Sequence, residues 1–79
     1  MGLNLIESEK GLLLNNLNPK SEAAEKGMIA GDIILSVNQT PIKSVADLKR
    51  VIDETKKSTK KLFLFVKRGN SNYTAVLSI

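Results

Sequence analysis

A nearly continuous apolar segment runs through Gly31-Asp32-Ile33-Ile34-Leu35-Ser36-Val37-Asn38, between a residue that tolerates positive φ and the turn signal Asn38-Gln39. A short apolar run bounded in this way predicts a buried strand. Upstream, Leu3, Leu5 and Ile6 begin an extended segment over 3–6, and the polar Glu7-Ser8-Glu9-Lys10-Gly11 turns the chain. Leu12 to Leu17 predicts a second strand, stopped by Asn18-Pro19. Ser21 to Gly27 predicts a helix of one or two turns, with Ser21 as N-cap and Gly27 as the residue just past its end. Pro41-Ile42 can form only a short edge segment, because proline has no N–H to give a central ladder.

Ser44 opens the longest helix, predicted over 45–53, with Ser44 and Asp47 at capping-box spacing. Leu48 and Val51 are expected to face the core, while Val45, Lys49 and Ile52 share another face by the i, i+4, i+7 rule. From Lys61 to Lys67 the chain alternates, placing Leu62, Leu64 and Val66 on one side and Phe63 and Phe65 on the other. Arg68-Gly69-Asn70-Ser71 predicts a hairpin turn, and Tyr73 to Ile79 the returning strand. Five or six strands with two helices imply an α+β, mostly β fold. The expected form is a small, partly open barrel or sandwich capped by the helices, in one domain over 1–79 without internal repeats.

Composition changes this picture mainly by exclusion. The chain has 79 residues, no histidine and no cysteine. It therefore cannot build a Ser-His-Asp triad, a thiolate nucleophile, a disulfide or a cysteine zinc site. Ser58-Thr59-Lys60-Lys61 matches a serine–lysine spacing but lies in a polar loop, without the buried lysine that such chemistry needs. The carboxylates are scattered among lysines, and no glycine-rich loop could cradle phosphate. No cofactor or metal is expected. Asn72-Tyr73-Thr74 matches a glycosylation acceptor within a predicted strand.

The net charge of +4 comes largely from Lys49-Arg50, Lys56-Lys57, Lys60-Lys61 and Lys67-Arg68. Cations near a helix C-terminus suit its dipole, so a solvated basic face explains most of them. The lesser reading is an electrostatic binder of anionic partners through the lysines at 56–61. No apolar run is long enough to span a bilayer. An export signal, if the parent carries one, would lie upstream, because Met1-Gly2-Leu3-Asn4 lacks a basic region followed by an apolar one.

Asn18-Pro19-Lys20-Ser21-Glu22-Ala23-Ala24, Gly27-Met28, Gly31-Asp32-Ile33-Ile34 and Val37-Asn38 together resemble the central signature of a PDZ domain. The arrangement is similar to that of bacterial Do-like (HtrA-type) serine proteases, and most like their second, C-terminal PDZ domain. The resemblance implies a circularly permuted fold in which the last strand replaces the usual first one. It implies a non-catalytic, peptide-binding module of a periplasmic serine endopeptidase that serves protein quality control. The partners would be C-terminal or extended segments of substrate proteins, and possible further ones are other subunits of the same protease. Neither nucleic acid nor membrane insertion is implied.

Strand addition would place the ligand between the strand at 3–6 and the helix at 45–53. Met1, Gly2 and Leu3 would offer N–H groups to its terminal carboxylate, with Gly2 permitting the backbone torsion this requires. Asn4, Leu5 and Ile6 continue the strand, and Leu3 and Leu5 would line a pocket with Val45, Lys49 and Ile52 across it. On pattern alone, Leu3, Leu5 and Ile52 fit equally well as plain core beneath a helix. The resemblance also implies an alternative role, a domain that docks protease subunits together with its groove unused.

Overall fold

The computed structural model describes residues 3–78, so Met1, Gly2 and Ile79 lie outside the described residues. The elements are β1 (Leu3–Glu7), β2 (Leu12–Leu17), α1 (Glu22–Glu25), β3 (Ile33–Val37), β4 (Thr40–Pro41), α2 (Val45–Lys56), β5 (Lys61–Arg68) and β6 (Ser71–Ser78). One antiparallel sheet runs in the order β1-β2-β3-β5-β6, with β4 attached to β3. This is the open, mostly β, two-helix architecture expected from the residue pattern. The central apolar run becomes β3, which pairs with β2, β4 and β5.

Two β-bulges explain apolar spacings that a regular strand would not allow. Leu14 and Leu17 are three residues apart, which should put them on opposite faces. Asn4 pairs with Asn16 and Leu5 with Leu14, leaving Asn15 as the extra residue. The extra residue restores the parity, and buried Leu12 and Leu14 share the core with half-buried Leu17. In β3 the same device acts at Leu35, because Ile34 pairs with Val66 and Ser36 with Phe65. Ile34 and Val37, again three apart, are both fully buried.

Helix α2 covers the inner face with buried Leu48 and Val51, as its spacing predicts. The Ser44 hydroxyl accepts from the Asp47 N–H (3.1 Å), and the Asp47 carboxylate accepts from the Lys43 N–H (3.2 Å), one residue before the position a capping box would use. Helix α1 contributes buried Ala23 and is capped by Ser21, whose hydroxyl accepts from the Ala24 N–H. The Asn38-Gln39 hairpin has positive φ at both residues, 51° and 69°. Asn38 secures it: the backbone N–H of Phe63 donates to its Oδ1 (2.9 Å), and its Nδ2 donates to Thr55 Oγ1 of α2 (2.9 Å).

Phe63 and Phe65 lie in β5 as expected, but the strand does not hide them. They are 49% and 40% exposed on the outer face, because Leu62, Leu64 and Val66 take the inner one.

Candidate peptide-binding groove

Among the described residues β1 pairs with β2 alone and forms one edge of the sheet. Hydrogen bonding on its far neighbour decides which backbone groups stay free. Leu14 N–H donates to Asp32 O (2.7 Å), and Leu14 O accepts from Gly31 N–H (2.8 Å). Leu14 therefore turns both groups away from β1, toward the turn that enters β3. Its partner Leu5 has its own N–H and C=O directed off the open edge. Ser8 N–H donating to Gly11 O (2.9 Å) fixes the alternation at the hairpin end, so Ile6 bonds inward and Glu7 outward.

The side chains give this edge an apolar wall. Leu3 and Leu5 are half-buried on β1, and Val45 and Ile52 are half-buried on α2, all packed against the core. Lys49, between the last two on the helix, is exposed, as are Asn4 and Ile6. Glu7 joins the two walls at one end, its Oε2 accepting from the Val45 N–H at 3.2 Å. The site residues at 3–6 and 45–52 thus lie on two facing elements. Met1 and Gly2, assigned to the carboxylate loop, fall outside the described residues. Glu7 belongs to β1 and not to the following turn, where residue type alone had placed it.

Pattern reading also missed the anchor behind this edge. Asp32 is fully buried, and its carboxylate accepts from Arg68 Nε (2.8 Å), Arg68 Nη2 (2.9 Å), Tyr73 OH (2.5 Å) and the Ile29 N–H (3.0 Å). Burial alone would raise its pKa, but these hydrogen bonds and the Arg68 charge outweigh it and hold the carboxyl below its ordinary value. Tyr73 is pushed up to about 12, first by burial and then by its hydrogen bond to Asp32. The available signal was an aspartate inside an apolar run, since a buried charge requires partners. Asp32 also supplies the carbonyl that holds Leu14, so only Leu14 stands between the anchor and the free edge at Leu5.

Among the described residues no cluster of three or more acidic, histidine or cysteine side chains could hold a metal ion. No helix of the described residues is long and apolar enough to cross a membrane.

A six-stranded antiparallel sheet with an open edge beside an amphipathic helix defines the fold class, and comparison with known proteins identifies its family. The PDZ domain family model matches residues 1–79, and the chain belongs to that family. It is 35% identical over 71 residues to a "probable periplasmic serine endoprotease DegP-like" of Brucella suis biovar 1, covering 87% of this chain and 14% of that protein. It is 36% identical over 63 residues to the periplasmic serine endoprotease DegP of Escherichia coli K12, covering 80% of this chain and 13% of that protein. The chain thus spans about one-seventh of the length of these relatives. Among solved structures, the HtrA3 PDZ domain bound to the phage-derived ligand FGRWV superposes with a TM-score of 0.83 at 23% identity, covering 99% of this chain and 81% of that one. The PDZ domain of EpsC from Vibrio cholerae gives 0.72 at 13% identity, covering 98% and 93%.

Proposed function

We propose that this domain binds extended or C-terminal peptide segments as an added strand along β1, as a non-catalytic module of a periplasmic serine endoprotease. The observation that carries the reading is the free backbone edge at Leu5, opposite a Leu14 already committed to Gly31 and Asp32. A peptide pairing there gains main-chain hydrogen bonds, while Leu3, Leu5, Val45 and Ile52 receive its alternate side chains. Ile52, two turns along α2 from the Glu7-tethered Val45, would meet the ligand's last side chain, with Lys49 between them. The Met1-Gly2-Leu3 backbone would take the terminal carboxylate, with Asn4 and Ile6 completing the strand. The HtrA3 domain of the same fold was crystallised with a peptide, and the sequence relatives are named periplasmic endoproteases. Fluorescence polarisation of a labelled hexapeptide ending in a free valine should give a dissociation constant on the order of 10–100 μM, since few contacts offset the cost of ordering a short chain. No binding at about millimolar concentration would overturn the reading.

A separate observation favours a second use of the same domain. The outward face of β5 reads Lys61, Phe63, Phe65, Lys67, with Val76 and Thr74 of β6 opposite the two phenylalanines. Two half-exposed aromatics side by side need a reason on a domain with so few of them. We propose that this face docks another subunit of the parent protein. Phe63→Ser with Phe65→Ser should then shrink the intact parent's oligomer in light scattering, while peptide polarisation stays unchanged. An unaltered oligomer would remove this second role.

A further inference from the structure

The groove's far end carries a charge that its apolar walls do not explain. Glu7 is the last residue of β1, is exposed, and places Oε2 on the Val45 N–H at 3.2 Å. Among the described residues the ion pairs are Arg50–Asp47 and Arg68–Asp32, so Glu7 has no cationic partner. It is nonetheless held, by one backbone donor and by the positive end of α2. Lys43 and Lys10, the cations nearest in sequence to the helix start and the hairpin, are both exposed and make no ion pair with it.

Register gives this charge a place along a ligand. Leu3, Leu5 and Glu7 are alternate residues of β1, and an antiparallel strand meets them with every second residue of its own. If the ligand's last residue lies opposite Leu3, its third-from-last lies opposite Leu5 and its fifth-from-last opposite Glu7. From this we infer that Glu7 makes the groove select peptides with a lysine or arginine at the fifth residue from the C-terminus. The inference rests on the groove reading above and adds a ligand class to it. One carboxylate oxygen stays on Val45 while the other is free to accept from the incoming cation. Because the carboxylate is already positioned, less ordering is lost when the pair forms. Lys49, one helical turn beyond Val45, would repel a cation placed nearer the ligand's end, which confines the preference to that fifth position.

Two free-acid hexapeptides, identical except for lysine or glutamate at the fifth residue from the end, test this by fluorescence polarisation. In about 20 mM salt the lysine peptide should bind about three- to fivefold tighter, and the gap should narrow at about 150 mM. Glu7→Gln keeps an acceptor for the Val45 N–H and removes the charge, so it should bring the two affinities together. Equal affinities with the unaltered domain, or a preference that survives Glu7→Gln, would overturn the inference. An amidated twin of the lysine peptide separates the two layers of the argument. No binding by either peptide sinks the groove reading and this inference with it, whereas equal binding of the two removes the carboxylate-anchored register, and with it this inference, while strand addition by extended segments stands. A free-acid advantage without a lysine preference sinks the inference alone.

Discussion

Arg68 grips the buried carboxylate of Asp32 with one edge of its guanidinium, Nε on one oxygen at 2.8 Å and Nη2 on the other at 2.9 Å. Nη2 reaches on to the Gly27 carbonyl (2.7 Å) and the Tyr73 hydroxyl (3.0 Å), and the guanidinium stacks 4.7 Å from the Tyr73 ring centre. Strands β5 and β6 and the turn entering β3 are thereby tied through one anion. A paired, fully bonded buried charge is costly to break from either side, because the group left behind keeps its desolvation penalty.

Replacing that anion tests the anchor. Asp32→Asn should cost about 2 kcal/mol near neutral pH, the scale of a charged hydrogen-bond network losing its charge. The Asp32 carboxyl is held below its ordinary value, so its unfolded form takes up protons first and its stabilisation is present above that value. The gap between the unaltered domain and Asp32→Asn should therefore close as pH falls below about 4, in urea titrations across pH. A gap constant down to the acid limit would contradict the assignment.

On the alkaline side the sign reverses. Tyr73 rises from 10.0 to about 12 in the fold, so it favours the folded state while both forms are protonated and loses that contribution as pH climbs across the interval. Tyr73→Phe should cost about 1 kcal/mol at neutral pH, with the difference disappearing between pH 10 and 12. Spectrophotometric titration of the phenol at 295 nm (about 12 expected against an ordinary 10) reads the same quantity directly.

Much of the fold was legible because its signals are local. Ser21 and Ser44 cap helices, Gly27 and Gly31 take φ of +90° and +99°, and Asn38-Gln39 turns the chain where turn chemistry says it should. Leu48 and Val51 were readable as core from spacing alone. Hidden were the features that depend on contacts between distant residues. Asp32 meets Arg68 across 36 residues and Glu7 meets Val45 across 38, and neither pair carries a sequence spacing that would announce it. The two bulges also broke the period-two rule, which is why Leu17 and Val37 face inward against simple alternation. Phe63 and Phe65 were correctly placed on a strand, but strand membership does not say whether a second layer covers the outer face.

Gly11 is a further position whose importance only the packing reveals. It is buried with φ of +154°, and a Cβ there would strike the backbone carbonyl of Ile34. Gly31 has φ of +99° but open space around it. Gly31→Ala should cost about 1–2 kcal/mol, the backbone strain alone. Gly11→Ala should cost more, because it must also push the β1–β2 hairpin off β3. Equal denaturation midpoints for the two variants would refute this ordering.

Ile34 sits at the middle of the central strand and is fully buried. Ile34→Ala should cost about 2–5 kcal/mol by transfer and cavity terms together. An unchanged midpoint in chemical denaturation would mean that the core is centred elsewhere.

The most direct test of the central claim is an amide chemical-shift titration of the isotope-labelled domain with a free-carboxylate peptide and its amidated twin. An added strand should move the amides of residues 2–6 and of Val45 to Ile52, with the free acid doing so at lower concentration. If neither peptide shifts those two segments, or if the shifts gather on β5 and β6 instead, the groove between β1 and α2 is not where this domain takes its ligand.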